Sequence, residues 1–326
     1  MSRLFILGSV VFMLASTAIA ADKQKQAVIK AAEADADFAV QGEYTGEVET
    51  DDGPTKLGVQ VIALGDGKFD AVAYPGGLPG DGWNGVEKIR AKGETQGSQT
   101  LLTSKESTGV INDGKLTISN KDGATIGTLK KTTRKSSTMG DRAPIRAVVL
   151  FNGRTANKFE GGKLTDDGFL EQGITSKQKF GSFKLHMEFK LSYMPYARGQ
   201  GRSNSGCYMQ GRYEVQILDS FGLEGKNNEC GGIYTIKDAA VNMCFPPLSW
   251  QTYDVEYTQA KYDSAGKKTE NARMTVRHNG VLVQDDVELP NATRGAPVKE
   301  GPEPGPIYIQ DHSNPVRFRN IWLVEK

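Results

Sequence analysis

The chain has 326 residues, enough for two domains of ordinary size, and its 38% hydrophobic and 24% charged content is that of a globular protein. Its 40 Lys and Arg offset 39 Asp and Glu, and no basic run is dense enough to create a local field, which argues against nucleic acid as a partner. Three His and no CxxC or HExxH spacing leave no readable metal motif and no cofactor, although the oxygen-rich loop from Asp219 to Asn228 could supply ligands for Ca2+ or another divalent cation.

The chain begins with Arg3, a mostly apolar run from Leu4 to Ala15, and Ala18-Ile19-Ala20. This pattern reads as a secretory signal over residues 1–20, with a retained membrane anchor as the alternative. Cleavage implies an exported protein, periplasmic or secreted, with no membrane span left. Ala21 to Asp37, rich in Ala, Lys, Gln and Glu, predicts a short polar helix. From Phe38 to Arg134, short alternating runs are separated by Gly65-Asp66-Gly67, Asn112-Asp113-Gly114 and Lys121-Asp122-Gly123. Those are hairpin signals, and six or seven strands in this length predict a small antiparallel barrel or sandwich. Trp83, in a Gly- and Pro-rich loop, either plugs the end of that domain or stacks on a sugar ring. Lys130 to Arg142 reads as a linker, so residues 21–142 form the helix, small β domain and linker, and 143–326 a second domain.

The second domain is also strand-rich. Phe183 to Leu191 alternates cleanly, with His186 and Glu188 on the polar side; Trp250 to Tyr257 alternates too, and Asn279-Gly280 marks a two-residue hairpin turn. No long helical period intervenes, so the economical fold is all-β, with two antiparallel sheets packed face to face as a jelly-roll sandwich. Trp250 is expected in its core. Cys230 and Cys244, in loop-like sequence, are a candidate disulfide pair, and three buried thiols are the alternative.

The most informative stretch runs from Asn204 to Asp219. Two adjoining strands there hold apolar residues on one face and Glu214 with Gln216 on the other, as a cleft for a sugar would require. The next residue on that face is Leu218. The second carboxylate of an ordinary retaining glycosidase is therefore missing from this strand. Glu214 is either a reacting acid or base or the partner of Arg212 in a structural ion pair. Asp219 is either a second acid or a turn residue.

The order Leu150-Phe151-Asn152-Gly153, Asn204-Ser205-Gly206, Gln210-Gly211-Arg212-Tyr213-Glu214-Val215-Gln216, Cys230-Gly231-Gly232, Trp250-Gln251-Thr252-Tyr253-Asp254, His278-Asn279-Gly280 and Gln310-Asp311-His312-Ser313-Asn314-Pro315-Val316-Arg317 resembles the 3-keto-disaccharide hydrolase domain family across essentially the whole second domain. The resemblance implies a concanavalin A-like sandwich whose concave sheet binds carbohydrate. It also implies cleavage of glycosides oxidised at C3, with an upstream sugar 3-oxidoreductase to supply them. A C3 ketone acidifies the C2 proton, so elimination across C1–C2 followed by hydration needs a base, a donor for the enolate oxygen and an acid for the leaving group. Glu214, His312, Arg317 and Asp219 are the candidate catalytic residues. Asn204, Gln210, Gln216, Tyr208, His186 and Gln310 are the candidate sugar-binding residues. A non-catalytic lectin-like module and a cell-surface attachment protein are the alternatives, since fold does not fix function.

Overall fold

The computed structural model describes residues 23–326, so the expected secretory signal lies outside the described residues. The polar helix expected up to Asp37 is broken. Val28 exchanges backbone hydrogen bonds with Tyr193, both at 2.9 Å, and this tertiary pairing overrides the helical propensity of an Ala-rich segment. Beyond it the chain makes a single turn at Ala31–Glu33 and a short helix α1 (Ala36–Val40), capped by Asp35, whose carboxylate accepts the Phe38 N–H at 3.3 Å. Among the described residues, no helix is long and apolar enough to cross a membrane.

Eight strands, rather than six or seven, close the first domain into an antiparallel barrel: β1 (Gly42–Thr50), β2 (Gly53–Gly65), β3 (Lys68–Pro75), β4 (Ile89–Gln96), β5 (Gln99–Thr103), β6 (Ser107–Asn112), β7 (Lys115–Asn120) and β8 (Thr125–Thr132). Two of its hairpin turns place both central residues at positive φ, Asp66 (55°) with Gly67 (72°) and Asp113 (47°) with Gly114 (67°). That is the turn whose twist matches paired strands. Alternation fills the barrel with Tyr44, Val48, Val59, Val61, Phe69 and Leu116, while Ile62, Val72 and Tyr74 point outward and join the core of the second domain. Trp83 neither plugs the barrel nor offers a free ring. It packs edge-on against Tyr74 at 5.1 Å and lies on the core of the second domain. Arg134 ties the junction, its Nε donating to Glu43 Oε2 at 2.8 Å and its guanidinium lying 4.9 Å from the Phe245 ring centre.

The second domain is the expected sandwich. Its strands are β9 (Val148–Phe151), β10 (Phe159–Glu160), β11 (Leu170–Glu171), β12 (Ile174–Phe180), β13 (Phe183–Lys190), β14 (Ser205–Met209), β15 (Tyr213–Ile217) and β16 (Trp250–Thr258), then a small ribbon of β17 (Lys261–Tyr262) and β18 (Lys268–Glu270), and finally β19 (Ala272–His278), β20 (Val281–Leu289), β21 (Gly305–Ile309) and β22 (Arg317–Glu325). A five-stranded sheet runs β10-β12-β21-β14-β15. A seven-stranded sheet runs β11-β22-β13-β16-β19-β20, with β9 beside β22. Phe180, Cys207, Val215, Ile217, Ile307 and Ile309 from the first sheet meet Leu185, Met187, Phe189, Tyr253, Val255 and Phe318 from the second. Each sheet therefore turns its other face outward, and those two outward faces lie on opposite sides of the core.

Candidate functional site

The hairpin β14–β15 turns through Gln210 (φ 55°) and Gly211 (φ 65°), which sets Tyr208 opposite Glu214 and Gly206 opposite Gln216. Strand β21 lies on the other side of β14, pairing Tyr208 with Tyr308, and the Gln310 N–H donates to Gly206 O at 2.9 Å. Two rows thus cross the outward face of the five-stranded sheet: Tyr308, Tyr208, Glu214 and Gln310, Gly206, Gln216. The middle position of the second row has no side chain. The Glu214 carboxylate leans over it, and a Cβ at Gly206 would collide with Glu214 Oε1.

Glu214 is only 2% exposed. Burial pushes its carboxyl up to about 7, against a lesser downward pull from the Tyr208 hydroxyl, which donates to Oε2 at 2.7 Å. Gln310 Nε2 donates in turn to Tyr208 Oη at 3.4 Å. The backbone is pinned as well: Glu214 N–H donates to Thr293 Oγ1 at 3.0 Å, and Glu214 O accepts the Tyr234 N–H at 3.2 Å. Arg212 is not its partner. That guanidinium donates to Lys299 O, Gln210 Oε1 and Glu303 O, so the structural ion pair weighed from the sequence does not form. A carboxyl held near neutrality beside a hydroxyl can accept or give a proton at physiological pH.

An amide cluster flanks it. Asn204 Nδ2 donates to Gln200 O at 2.8 Å and to Gln200 Oε1 at 3.2 Å, and Gln216 Nε2 donates to the same Oε1 at 3.3 Å. The buried Asn204 Oδ1 has no protein partner. Gln200 joins two residues read as sugar-binding, yet nothing in its own stretch singles it out, because it sits in a loop between strands. Tyr308 was equally invisible, its neighbours being set by strand order.

The structure separates the remaining candidates. Gln210 is wholly committed to the fold, its Nε2 donating to Phe180 O at 2.8 Å and its Oε1 accepting from Arg212 and Tyr257, so it has no group left for a sugar. Asp219 lies beyond the end of β15 and is held by Arg202 Nε at 2.6 Å, a buried ion pair at the barrel junction. Arg317 opens β22 of the other sheet, where it faces Glu171 at 3.7 Å and Gln172 at 3.3 Å. It therefore stands across the core from Glu214 and cannot share a substrate atom with it. His312 is exposed on the loop two residues beyond Gln310. Cys207, Cys230 and Cys244 are buried free thiols, so the suggested Cys230–Cys244 bridge is not formed.

His186 also belongs to the opposite face. It stacks on Trp322 with ring centres 5.1 Å apart and meets Asp254 Oδ1 at 2.6 Å. Glu188 beside it accepts from Arg319 Nε at 2.6 Å, Asn320 Nδ2 at 2.9 Å and the Gly140 N–H at 2.8 Å. Burial alone would lower His186 and raise Glu188, but their partners outweigh it, placing His186 at about 9 and Glu188 at about 2. Thr138 donates to Asp254 Oδ2 at 2.6 Å, so the linker after the barrel is strapped across this cluster. Trp250 is outside the core, sandwiched on this face between Arg319 (4.0 Å) and the edge of Phe169 (4.9 Å). Among the described residues, no group of three or more His, Cys, Asp and Glu converges in a metal-holding arrangement.

Residues 146–324 match the family described as the 3-keto-alpha-glucoside-1,2-lyase-like domain. A crystal structure of a "putative glycosyl hydrolase" from Parabacteroides distasonis is 30% identical, with a TM-score of 0.51, over 56% of this chain and 85% of that one. A second Parabacteroides distasonis structure of the same description is 18% identical, with a TM-score of 0.39, over 55% of this chain and 94% of its own. No curated protein matches the chain.

Proposed function

The chain belongs to the 3-keto-alpha-glucoside-1,2-lyase-like domain family, a glycosyl hydrolase-like group, and from that premise we propose that it cleaves 3-keto-disaccharides and related 3-keto-glycosides by elimination and hydration. The observation that carries this reading is Glu214: a single carboxyl, desolvated to about 7, lying over Gly206 in a face of amides and phenols. Glu214 takes the C2 proton. The electron pair of that C–H bond forms the enolate, the C1–oxygen bond then breaks, and the departing oxygen is protonated to release the aglycone. Water adds to C1 and a proton returns to C2, regenerating the ketone as 3-keto-glucose. The half-buried Gln310 and the unpartnered Asn204 Oδ1 offer amide groups for the sugar, and Tyr208 and Gln216 hold Glu214 and Gln200 in place beside them. Exposed His312, two residues beyond Gln310, is the candidate donor to the departing oxygen. With Arg317 and Asp219 placed elsewhere, no second carboxylate and no arginine enters the scheme. The signal-like start of the chain supports an exported enzyme, and its substrate requires a sugar 3-oxidoreductase to produce it.

Purified protein incubated in D2O with a 3-keto-disaccharide and with its unoxidised parent tests the reading. Expected is release of 3-keto-glucose carrying deuterium at C2 from the first and no product from the second. Cleavage of the unoxidised sugar would exclude the elimination route. Gly206→Ala provides a finer check. Its φ lies outside the left-handed region, so the backbone accepts alanine, but the new Cβ displaces the Glu214 carboxylate. Turnover should fall by about 100-fold with the fold retained, since displacement of a reacting group by about 1 Å costs that much.

A further inference from the structure

We propose that the N-terminal barrel holds Gln200 at the sugar site, so that the barrel, through Arg198 and Arg202, sets how tightly the sugar binds; this rests on the reading of the Glu214 face given above. The loop between Leu191 and β14 leaves the sandwich, passes the end of barrel strand β2, and returns. Along that path Tyr196 Oη donates to Asp66 Oδ1 at 3.0 Å, Arg198 Nη2 donates to Leu64 O at 3.0 Å, and Arg202 Nη1 donates to Ala63 O at 3.3 Å. Gly65 makes the close approach possible, since a Cβ there would run into the Tyr196 ring. Three anchors to one barrel hairpin therefore bracket position 200.

Between them, Gly199–Gly201 form one 3-10 turn, closed by the Arg202 N–H donating to Gly199 O at 3.1 Å. Nothing lies within 4 Å of a Cβ built on Gly199 or Gly201, so the turn has little packing of its own. A short turn with glycine on both sides of its central residue has large backbone freedom unless its ends are fixed. Its ends are fixed by the barrel, and its centre reaches the site: Gln200 Oε1 accepts from both Asn204 and Gln216, and Gln200 Nε2 donates to Asn228 O at 2.7 Å. Arg202 also closes the far side, because its Nε holds Asp219 just beyond the strand that carries Glu214. Arg198 and Arg202 are thus positioning residues. They touch no substrate, and they act on the amides that do.

The test is steady-state kinetics of full-length Arg198→Ala and Arg202→Lys with a 3-keto-disaccharide, alongside hydrogen exchange of the amides in residues 194–203. Arg198→Ala removes the hydrogen bond to Leu64 O, and Arg202→Lys removes that to Ala63 O together with the Nε contact to Asp219. KM should therefore rise by about 5- to 10-fold in both, while kcat of Arg198→Ala stays within about twofold because Glu214 is untouched. Arg198→Lys should fall between wild type and alanine. The loop amides should exchange faster, with the strands of the barrel and sandwich still protected. An unchanged KM, or a kcat of Arg198→Ala that falls in parallel with kcat/KM, overturns the proposal. If wild-type protein cleaves neither sugar, it is the functional reading that fails, and the exchange then decides the structural claim: loop amides no faster in Arg198→Ala than in wild type would overturn it.

Discussion

Glu214→Gln is expected to leave the sandwich folded and to slow release of 3-keto-glucose by about 10²- to 10⁴-fold, the range that removal of a general base produces. The substitution keeps size and shape, and its carbonyl oxygen still accepts the Tyr208 hydroxyl, so little besides proton transfer is lost. The same change carries a second signature that a mere packing residue would lack. In the folded chain burial raises this carboxyl to about 7, against 4.5 for the free group. The folded state therefore binds more protons than the unfolded one between those values, and wild-type stability falls as pH rises through that window. At pH 8 the buried carboxylate costs the fold about 3 kcal/mol, from the size of the shift. The glutamine variant should consequently match wild type in denaturant midpoint near pH 4.5 and exceed it at pH 8. Equal stability at both pH values would show that Glu214 is not desolvated, and unchanged turnover would remove it as the base.

Glu188→Ala should have a large effect on stability, about 1–3 kcal/mol by chemical denaturation at neutral pH, because it removes the acceptor that several donors share at a buried position. Arg319 Nε, Asn320 Nδ2 and the Gly140 N–H all lose their acceptor together, and His186, 3.7 Å away, loses a neighbouring negative charge. Glu188→Gln, which retains an oxygen for some of these donors, should lose less. The signs of the two shifts set the pH window. The Glu188 contribution is present above its ordinary carboxylate range and is lost as pH falls through about 2; the His186 contribution is present below its ordinary value and is lost as pH rises through about 9. The stabilisation from the cluster is therefore greatest between about pH 5 and 6, and it declines above that because the unfolded chain's histidine gives up its proton while folded His186 keeps it until about pH 9. Its placement, on the face opposite Glu214 and beneath the linker, makes it a clasp between linker and sandwich. The variant should thus lose stability while keeping its pH–rate profile, and an altered profile would mean that the cluster reaches the site after all.

Part of this architecture was legible residue by residue. Strand alternation is a local property with period two, so the outward pairing of Glu214 with Gln216, and the inward turn of Tyr213, Val215 and Ile217, follow from sequence alone. Turn chemistry is local too, which is why the Asp-Gly and Asn-Gly pairs mark hairpins that the structure contains. The same alternation put Trp250 on the polar side of its strand, beside Thr252 and Asp254, but the bulk of an indole suggested the core, and Arg319 and Lys190 cover it instead. Size misled where parity was right.

Strand partnership was not legible. Gln310 and Arg317 lie seven residues apart, yet the first follows β21 in the five-stranded sheet and the second begins β22 in the other, so a constellation that looked continuous along the chain is divided by the core. Likewise Tyr308 comes beside Tyr208, and Gln200 beside Gln216, through contacts between segments remote in sequence. The chain by itself determined which face each strand presents and where it turns, because those depend on neighbouring residues. Only the tertiary structure decided which strands are neighbours, how deeply Glu214 is withdrawn from water, and hence that its proton is held near neutrality, because desolvation is the summed effect of every element packed around it.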